Sequence, residues 1–499
     1  MSRKYILAID QGTTSTRAII YTQDLEVVGI KAVEFEQHFQ KPGWVEHDLE
    51  QIWTSVRQAV QGALGAVSDP LFEAKHLAAI GITNQRETFG LWFRETGEAA
   101  MPAIVWQDRR SSAICERLKK AKAGKDLVRI SGLVMDPYFS GTKLKWAFEN
   151  DPSLKKRAQL GDLLFGTIDT FLIHRLTQKE SHVTDTSNAS RTMLMDLKTQ
   201  EWSGEALKIL GVPKQCLPKI LSSNSIFGVT KGLGFLPDGI PICGVLGDQQ
   251  AALFGQGCFE SGQSKITYGT GAFFLVNTGS KLRRSRDGLS TVAWTISGKT
   301  TYALEGSVFM AGALVSWLRD ALGLVSRSAD IEALARQVPS SEGVFIIPAF
   351  AGLGAPDWVS EARGLMGGLS RGSTRAHLAR AAIEGIAHSI ADSFSQLVKS
   401  SGARLKNLRV DGGASRNGLL LQAQADFLQC ALERPRDIES TARGAAMMAA
   451  FAANIGTLSA LSARNQSELR VAPQMSKKDS TRLRAEWRRR VEALKKGCF

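Results

Sequence analysis

Residues 5–21 run Tyr-Ile-Leu-Ala-Ile-Asp-Gln-Gly-Thr-Thr-Ser-Thr-Arg-Ala-Ile-Ile-Tyr. Two apolar runs flank a polar turn, which predicts strand, turn, strand. The turn holds what a polyphosphate needs. Gly12 lets backbone N–H groups approach a ligand, and Thr13, Thr14 and Ser15 carry hydroxyl donors. Arg17 adds a fixed positive charge, and Asp10, at the strand end, offers a carboxylate able to hold a hydrated divalent cation. Taken alone, the turn equally suits an ordinary polar hairpin. Residues 265–276, with Tyr268-Gly269-Thr270-Gly271 among them, repeat the design. Two other strand ends carry charge. Residues 77–83 read as a buried strand running into Asn84-Gln85-Arg86-Glu87-Thr88, where α/β folds place ligand-binding groups. Residues 241–246 read as a strand ending in Gly247-Asp248-Gln249-Gln250 ahead of an Ala-rich helix from residue 251. A carboxylate at such a turn is most commonly a helix cap. A further short strand, 407–410, leads into Asp411-Gly412-Gly413, which permits close backbone approach to a flat or phosphorylated ligand before a helix from about residue 419.

The elements that must position these groups follow from the intervening patterns. Residues 27–33 form a third strand-like run, so the chain opens as an antiparallel meander, and the G-x-G-x-x-G of a dinucleotide fold is absent there. Pro42-Gly43 is a turn feeding a helix from Leu49 with Asp48 as its N-cap, and Trp44 is core or cleft wall. Residues 104–110 read as a second strand ending in charge, and a loop at 135–140 precedes a helix carrying Lys143 and Trp146. By itself Tyr138 in that loop is more often structural than ligand-binding. Residues 182–192 read as loop and helix cap without chemistry, 344–349 as a buried strand leading to a Gly/Pro loop at 350–358, and 441–455 as a tightly packed Ala/Met/Gly helix. Two hairpins of one design, one opening each half, imply a duplication: two similar domains, residues 1–253 and 254–499, with a cleft between them.

With 43% hydrophobic and 22% charged residues over 499 positions, the chain is globular, neither disordered nor fibrous. No apolar run approaches the ~20 residues that span a bilayer, and the N-terminus enters the first strand without a signal-type segment, so no membrane insertion and a cytoplasmic location are expected. The six cysteines are scattered without a Cys-x-x-Cys pair, suggesting neither zinc nor a disulfide framework, and Cys498-Phe499 does not fit a prenylation box. The net charge of +14 is partly local: residues 482–496 hold seven Arg or Lys, with Leu483, Trp487, Val491 and Leu494 at helical spacing, the pattern of a terminal helix docked by one face. No nucleic-acid signature accompanies that charge, and no nucleic-acid partner is expected.

With these motifs in order, the chain resembles the FGGY carbohydrate kinases of the actin, sugar kinase and Hsp70 superfamily, from about residue 5 to about residue 455. The resemblance rests on residues 10–14, 35–48 (with Lys41-Pro42-Gly43-Trp44-Val45-Glu46-His47-Asp48), 81–88, 136–143, 188–194, 247–256, 268–271 and 410–413. A second family signature fits Gly364, Met366, Gly368, Leu369, His377, Leu378, Ala381 and Glu384. Within the family the likeness is greatest to members acting on glycerol. The resemblance implies an α/β fold of two similar actin-like (ribonuclease H-like) ATPase domains and, with ATP and Mg²⁺, phosphorylation of a terminal hydroxyl of glycerol. It implies Asp10 at the metal; Thr13, Thr14, Ser15 and Arg17 at the ATP phosphates; and Thr270, Gly312, Gly413 and Asn417 in the remaining nucleotide pocket. It implies Arg86, Glu87, Tyr138, Asp248 and Gln249 on the polyol hydroxyls, Trp106 and Phe273 as apolar walls, and Asp248 as catalytic base. A homo-oligomer, dimer or tetramer, is also implied. A charged pair with an amide and a carboxylate suits a small triol, whose three hydroxyls each donate and accept.

The chain departs from the family at Ser316, where bacterial members commonly carry Gln; at Ala147, which breaks the first signature; and at residues 236–239, which lack the Arg associated with inhibition by fructose 1,6-bisphosphate. Two other readings stay open at this level. A kinase for a different polyol or sugar would share the ATP half, and an actin- or Hsp70-like ATPase would share the hairpins without needing Arg86-Glu87.

Overall fold

The computed structural model describes residues 3–497 apart from 351, 355, 356, 358, 360 and 438. Strand Tyr5–Gln11 is apolar along nearly its whole length because both faces of its sheet are covered. Tyr5, Leu7 and Ile9 point toward helix Leu49–Gly65, while Ile6 and Ala8 join the cluster around helix Ser440–Ala452. Asp48 caps the first of these helices, its Oδ1 accepting from Glu50 N at 2.7 Å.

Two sheets are built to one plan. In the first, strands run in the spatial order Gly228–Val229, Pro241–Gly247, Leu77–Asn84, Tyr5–Gln11, Ser15–Thr22 and Val27–Glu34. In the second the order is Ser467–Val471, Leu432–Pro435, Asn407–Asp411, Gln263–Tyr268, Ala272–Gly279 and Lys299–Val308, with Leu289–Ile296 added at the edge. The senses agree strand by strand: an antiparallel edge, two parallel pairings, then an antiparallel meander. The duplication inferred from the two hairpins therefore extends through the sheets.

The halves meet where helix Ser440–Ala452, late in the chain, lies on the first sheet and beside helix Asp248–Gly255. Such close approach requires glycine. A Cβ on Gly444 would stand 1.8 Å from the carbonyl oxygen of Ala251, and one on Gly81 would stand 2.3 Å from that of Ala445. This is the tight packing expected of the Ala-rich helix, which ends at Ala452 rather than near residue 455.

Other local expectations need adjustment. Residues 104–110 are not one strand: Ala99–Ile104 ends where Asp108 N bonds back to Val105 O at 3.0 Å, closing a turn. Residues 182–192 contain strand Val183–Asp185 and a short helix, Thr186–Ala189, capped by Asp185. Of the loop at 350–358, Ala351, Ala355, Pro356 and Trp358 lie outside the described residues, as do Cys498 and Phe499. Trp44 stacks under the Arg110 guanidinium at 3.8 Å and meets Trp146 edge-on at 5.1 Å. The basic C-terminal helix, Lys477–Lys495, buries Trp487 and Val491 and neutralises much of its charge locally, Arg484 and Arg488 on Asp392 and Lys495 on Asp357. Among the described residues no helix is long and apolar enough to cross a membrane.

Candidate active site

Strand Leu77–Asn84 delivers Gln85, Arg86, Glu87 and Thr88 into the interior, each at most 2% exposed. Glu87 adopts φ +60°, a left-handed conformation that costs a non-glycine residue ~1–3 kcal/mol and is retained typically at functional sites. Ser140 Oγ donates to its carbonyl at 2.8 Å. Arg86 is almost fully engaged. Its Nε lies 2.9 Å from Asp248 Oδ1, Nη1 donates to Gln250 Oε1 at 3.2 Å and to Glu305, and Nη2 donates to Glu305 Oε1 at 2.9 Å. One Nη2 hydrogen is left for a ligand. Glu87 accepts from Arg191 Nε at 2.7 Å, and Arg191 Nη2 reaches Glu305 Oε1 at 3.1 Å. Burial raises Glu87 above the usual carboxylate range against the pull of Arg191 and Arg86. Burial acts in the same sense on Glu305, but there Arg191 and Arg86 outweigh it and hold the carboxyl at about 2.

Asp248 is not the cap of its helix. Gly247 occupies that position, with extended backbone and its N–H on Ser187 Oγ at 2.9 Å, and Asp248 is the first helical residue. Gly247 has to lack a side chain, since a Cβ there would come within 2.8 Å of the Arg86 stem. Asp248 Oδ1 accepts from Gln249 N at 2.6 Å and is ion-paired with Arg86 Nε at 2.9 Å, which leaves Oδ2 for a third party, and the side chain is 32% exposed. The Gln249 carboxamide oxygen accepts from Lys265 Nζ, which also donates to Thr267 Oγ1 at 2.7 Å. Burial lowers this lysine to about 8 although Asp411 and Asp248 oppose it.

The aromatic wall is tied to both sides. Trp106 Nε1 donates to Thr13 Oγ1 at 2.9 Å and its ring meets Tyr138 edge-on at 5.6 Å. Lys143, fully buried, donates to the carbonyls of Val105 and Tyr138 at 2.9 and 3.1 Å, pinning the two wall loops together. Phe273 is half-buried on the second hairpin, and among the described residues no ring contact joins it to Trp106 or Tyr138.

On the other side, the first hairpin pairs Asp10 with Arg17 and Gln11 with Thr16, leaving Gly12, Thr13 and Thr14 as the tip, with Gly12 N on Ser15 O at 2.9 Å. Gln85 Nε2 supports that tip from beneath, donating to Gly12 O at 3.0 Å. Arg17 is held by Glu439 in the segment before helix Ser440–Ala452. The second hairpin exposes Thr270, whose carbonyl accepts from Ala311 N and Ala313 N, both at 3.0 Å; a Cβ on Gly312 would fall 2.7 Å from Gly269 O. Beside it Gly412 (φ +85°) packs on Tyr268, whereas no atom comes within 4 Å of a Cβ built on Gly413. Asn417 Oδ1 caps helix Gly418–Leu428 through Leu420 N at 2.9 Å.

The donor set suits a divalent cation and a nucleotide. Burial pushes Asp10 up to about 7, the attraction of Arg17 being offset by Glu439 and Asp248, so a cation beside it would relieve an uncompensated carboxylate. Among the described residues no cluster of three or more ligating side chains encloses an ion. Mg²⁺ needs only one or two carboxylates, keeping waters and taking phosphate oxygens for the rest. The open side of Gly413 and the exposed Thr270 leave room for a flat ligand above the second hairpin.

Side chains from both halves thus meet around Arg86, in Asp248 and Glu305. Three buried charged residues here were left without a role by sequence reasoning: Arg191, Lys265 and Glu305. Arg191 lay in a stretch read as loop. A charge at the end of a strand-like run, Lys265 opening 265–268 and Glu305 closing 302–305, was the available signal for the other two.

The model of the FGGY family of carbohydrate kinases, N-terminal domain, matches residues 5–255, and that of its C-terminal domain matches residues 264–453. A glycerol kinase of Myxococcus xanthus is 51% identical over 493 residues, covering 98% of this chain and 99% of the relative. One of Deinococcus radiodurans is 49% identical over 98% of this chain and 97% of its own. Among solved structures, Plasmodium falciparum glycerol kinase with ADP superposes with a TM-score of 0.92 at 34% identity, over 99% of this chain and 98% of that one. Gluconate kinase from Lactobacillus acidophilus, at 24% identity, a TM-score of 0.86 and coverage of 99% of both chains, shares the fold. Two matched domain models and relatives aligned end to end lead to one conclusion: the chain belongs to the FGGY family of carbohydrate kinases.

Proposed function

We propose that this protein transfers the terminal phosphate of ATP to a terminal hydroxyl of glycerol, giving glycerol 3-phosphate and ADP, in a cleft between halves spanning residues 1–253 and 254–499. The observation that carries this reading is the end-to-end similarity to curated glycerol kinases. The Arg86–Asp248 contact beside the first hairpin supports it chemically.

In this reading the free N–H of Arg86, the Glu87 carboxylate, Tyr138 and Gln249 bind the polyol hydroxyls, and Trp106 and Phe273 cover its carbons and keep water from the phosphate. Asp248 Oδ2 aligns the attacking hydroxyl and takes its proton, while Arg86 Nε and Gln249 N fix Oδ1 and so the carboxylate plane. Thr13, Thr14 and Ser15 donate to phosphate oxygens, and Arg17, steadied by Glu439, adds charge. Thr270, Gly312, Gly413 and Asn417 line the nucleotide side. Mg²⁺, when bound beside Asp10, supplies charge neutralisation at the phosphates.

The test is ADP release by the purified protein with glycerol, dihydroxyacetone, erythritol, xylulose and gluconate in parallel. Glycerol is expected to give the highest kcat/KM; a preference for a five- or six-carbon substrate would refute the glycerol reading. The similarity to gluconate kinase is one of fold alone. A homo-oligomeric state and a cytoplasmic location belong to the same proposal, and light scattering on the purified chain tests the first.

A further inference from the structure

Glu305 sits on strand Lys299–Val308 of the second sheet and is 2% exposed. Arg86, from the first half, directs both η nitrogens into its carboxylate, and Arg191 donates to the same Oε1 at 3.1 Å. The far ends of these guanidinium groups touch Asp248 and Glu87. One carboxylate from the second half therefore fixes the two cations that orient the acidic groups facing the substrate. Without it two buried like charges would face each other, and the Arg86 fork would lose its bidentate partner. The cluster is also one acceptor short: Arg191 Nη1 is buried with no protein partner, a deficit that a ligand hydroxyl oxygen is chemically suited to fill.

We propose that Glu305 is a positioning residue of the polyol site, setting the Arg86 and Arg191 forks so that recognition of the polyol's hydroxyls depends on the second half of the chain. The proposal rests on the glycerol kinase reading above.

Glu305→Gln keeps the shape and one acceptor oxygen but removes the charge. We expect the KM for glycerol to rise by about tenfold or more with the KM for ATP within about twofold, and the kcat/KM preference for glycerol over propane-1,2-diol to fall by about tenfold, because the penalty for a missing hydroxyl depends on fixed partners. A merely structural role predicts a lower melting temperature with the preference intact and both KM values moving together; that outcome overturns the proposal. If Glu305→Gln does not fold, Arg191→Lys, which keeps charge but not the fork, is measured in the same way, and an unchanged glycerol KM and preference again overturn it. Wild-type protein forming no ADP with glycerol overturns the underlying reading and this inference with it. Active wild-type protein with a Glu305→Gln variant of unchanged glycerol KM overturns the inference alone.

Discussion

Replacing Asp248 by Asn separates binding from chemistry. The amide retains an oxygen at the Oδ1 position, which accepts from Gln249 N and lies beside Arg86 Nε, so the local geometry has little reason to change. Two stabilising effects weaken: a negative charge at the first turn of helix Asp248–Gly255, worth ~0.3–1 kcal/mol, and the charge on a partly exposed ion pair, worth ~1 kcal/mol at most. The fold should therefore lose ~1–2 kcal/mol and remain intact. Turnover should respond on another scale. An amide cannot take the proton of the attacking hydroxyl, and general-base contributions of ~10²–10⁴ correspond to ~3–5 kcal/mol on the barrier. Coupled ADP release at saturating glycerol and ATP measures kcat, calorimetry measures glycerol binding, and a thermal melt checks the fold. A folded Asn variant keeping more than about a tenth of wild-type kcat would refute the assignment of Asp248 as base.

Asp10→Ala should abolish nearly all turnover and leave glycerol binding close to wild type by calorimetry, if Asp10 serves the phosphate side as proposed. Weak glycerol binding with normal saturated turnover would contradict that placement. Arg86→Ala and Glu87→Ala should each raise the glycerol KM by ~1–3 kcal/mol with a smaller effect on ATP, and non-additively because Arg191 and Glu305 link them; equal effects on both substrates would argue instead for a role in holding the halves together. Lys143, lowered to about 7 by burial against the pull of Glu87, Asp108 and Asp136, has released its proton in the fold at a pH where the unfolded chain still holds it. Unfolding then takes up a proton between about pH 7 and pH 10, so stability from this group rises with pH across that window and is flat below it; the melting temperature of wild type relative to Lys143→Met should rise with pH there. Gly444→Ala gains ~1 kcal/mol of helix propensity but drives a methyl to within 1.8 Å of Ala251 O, costing ~3 kcal/mol, so denaturant titration should show net destabilisation.

The motifs legible in sequence were those whose chemistry and local structure coincide. Asp10, Gly12 and Thr13 announce a hairpin tip because the flanking runs fix where the strands stop. Arg86 and Asp248 stood out because each follows a buried strand with no room for charge. What remained hidden was pairing across the halves. Glu305 lies in a strand, Arg191 just after a single turn of helix, and Lys265 in the second hairpin, and nothing local says that two of them meet the end of a strand more than a hundred residues away. The N-cap option for Asp248 was equally undecidable locally, because Gly247 can cap a helix and the choice turned on Arg86 passing where a Gly247 side chain would stand.

That pairing explains why the site needs both sheets. The first supplies the hairpin tip through Gly12 and Thr13, with Gln85 and Arg86 one residue apart, the former bracing the tip and the latter turned to Asp248. Thr13 Oγ1 receives the Trp106 N–H, so the hydroxyl's own hydrogen is directed elsewhere and remains available to an anionic oxygen. The proposed polyol wall and the proposed phosphate tip therefore share one hydrogen bond. The second sheet supplies the other constraint, Glu305, without which the Arg86 fork loses its bidentate partner and keeps only Gln250 and Asp248. Phosphoryl transfer is governed by positioning. Arg86 is held by Glu305, Gln249 by Lys265 and Arg17 by Glu439, so side chains proposed to bind polyol and phosphate are fixed in part from the second half, and the proposed geometry is complete only when the halves are together.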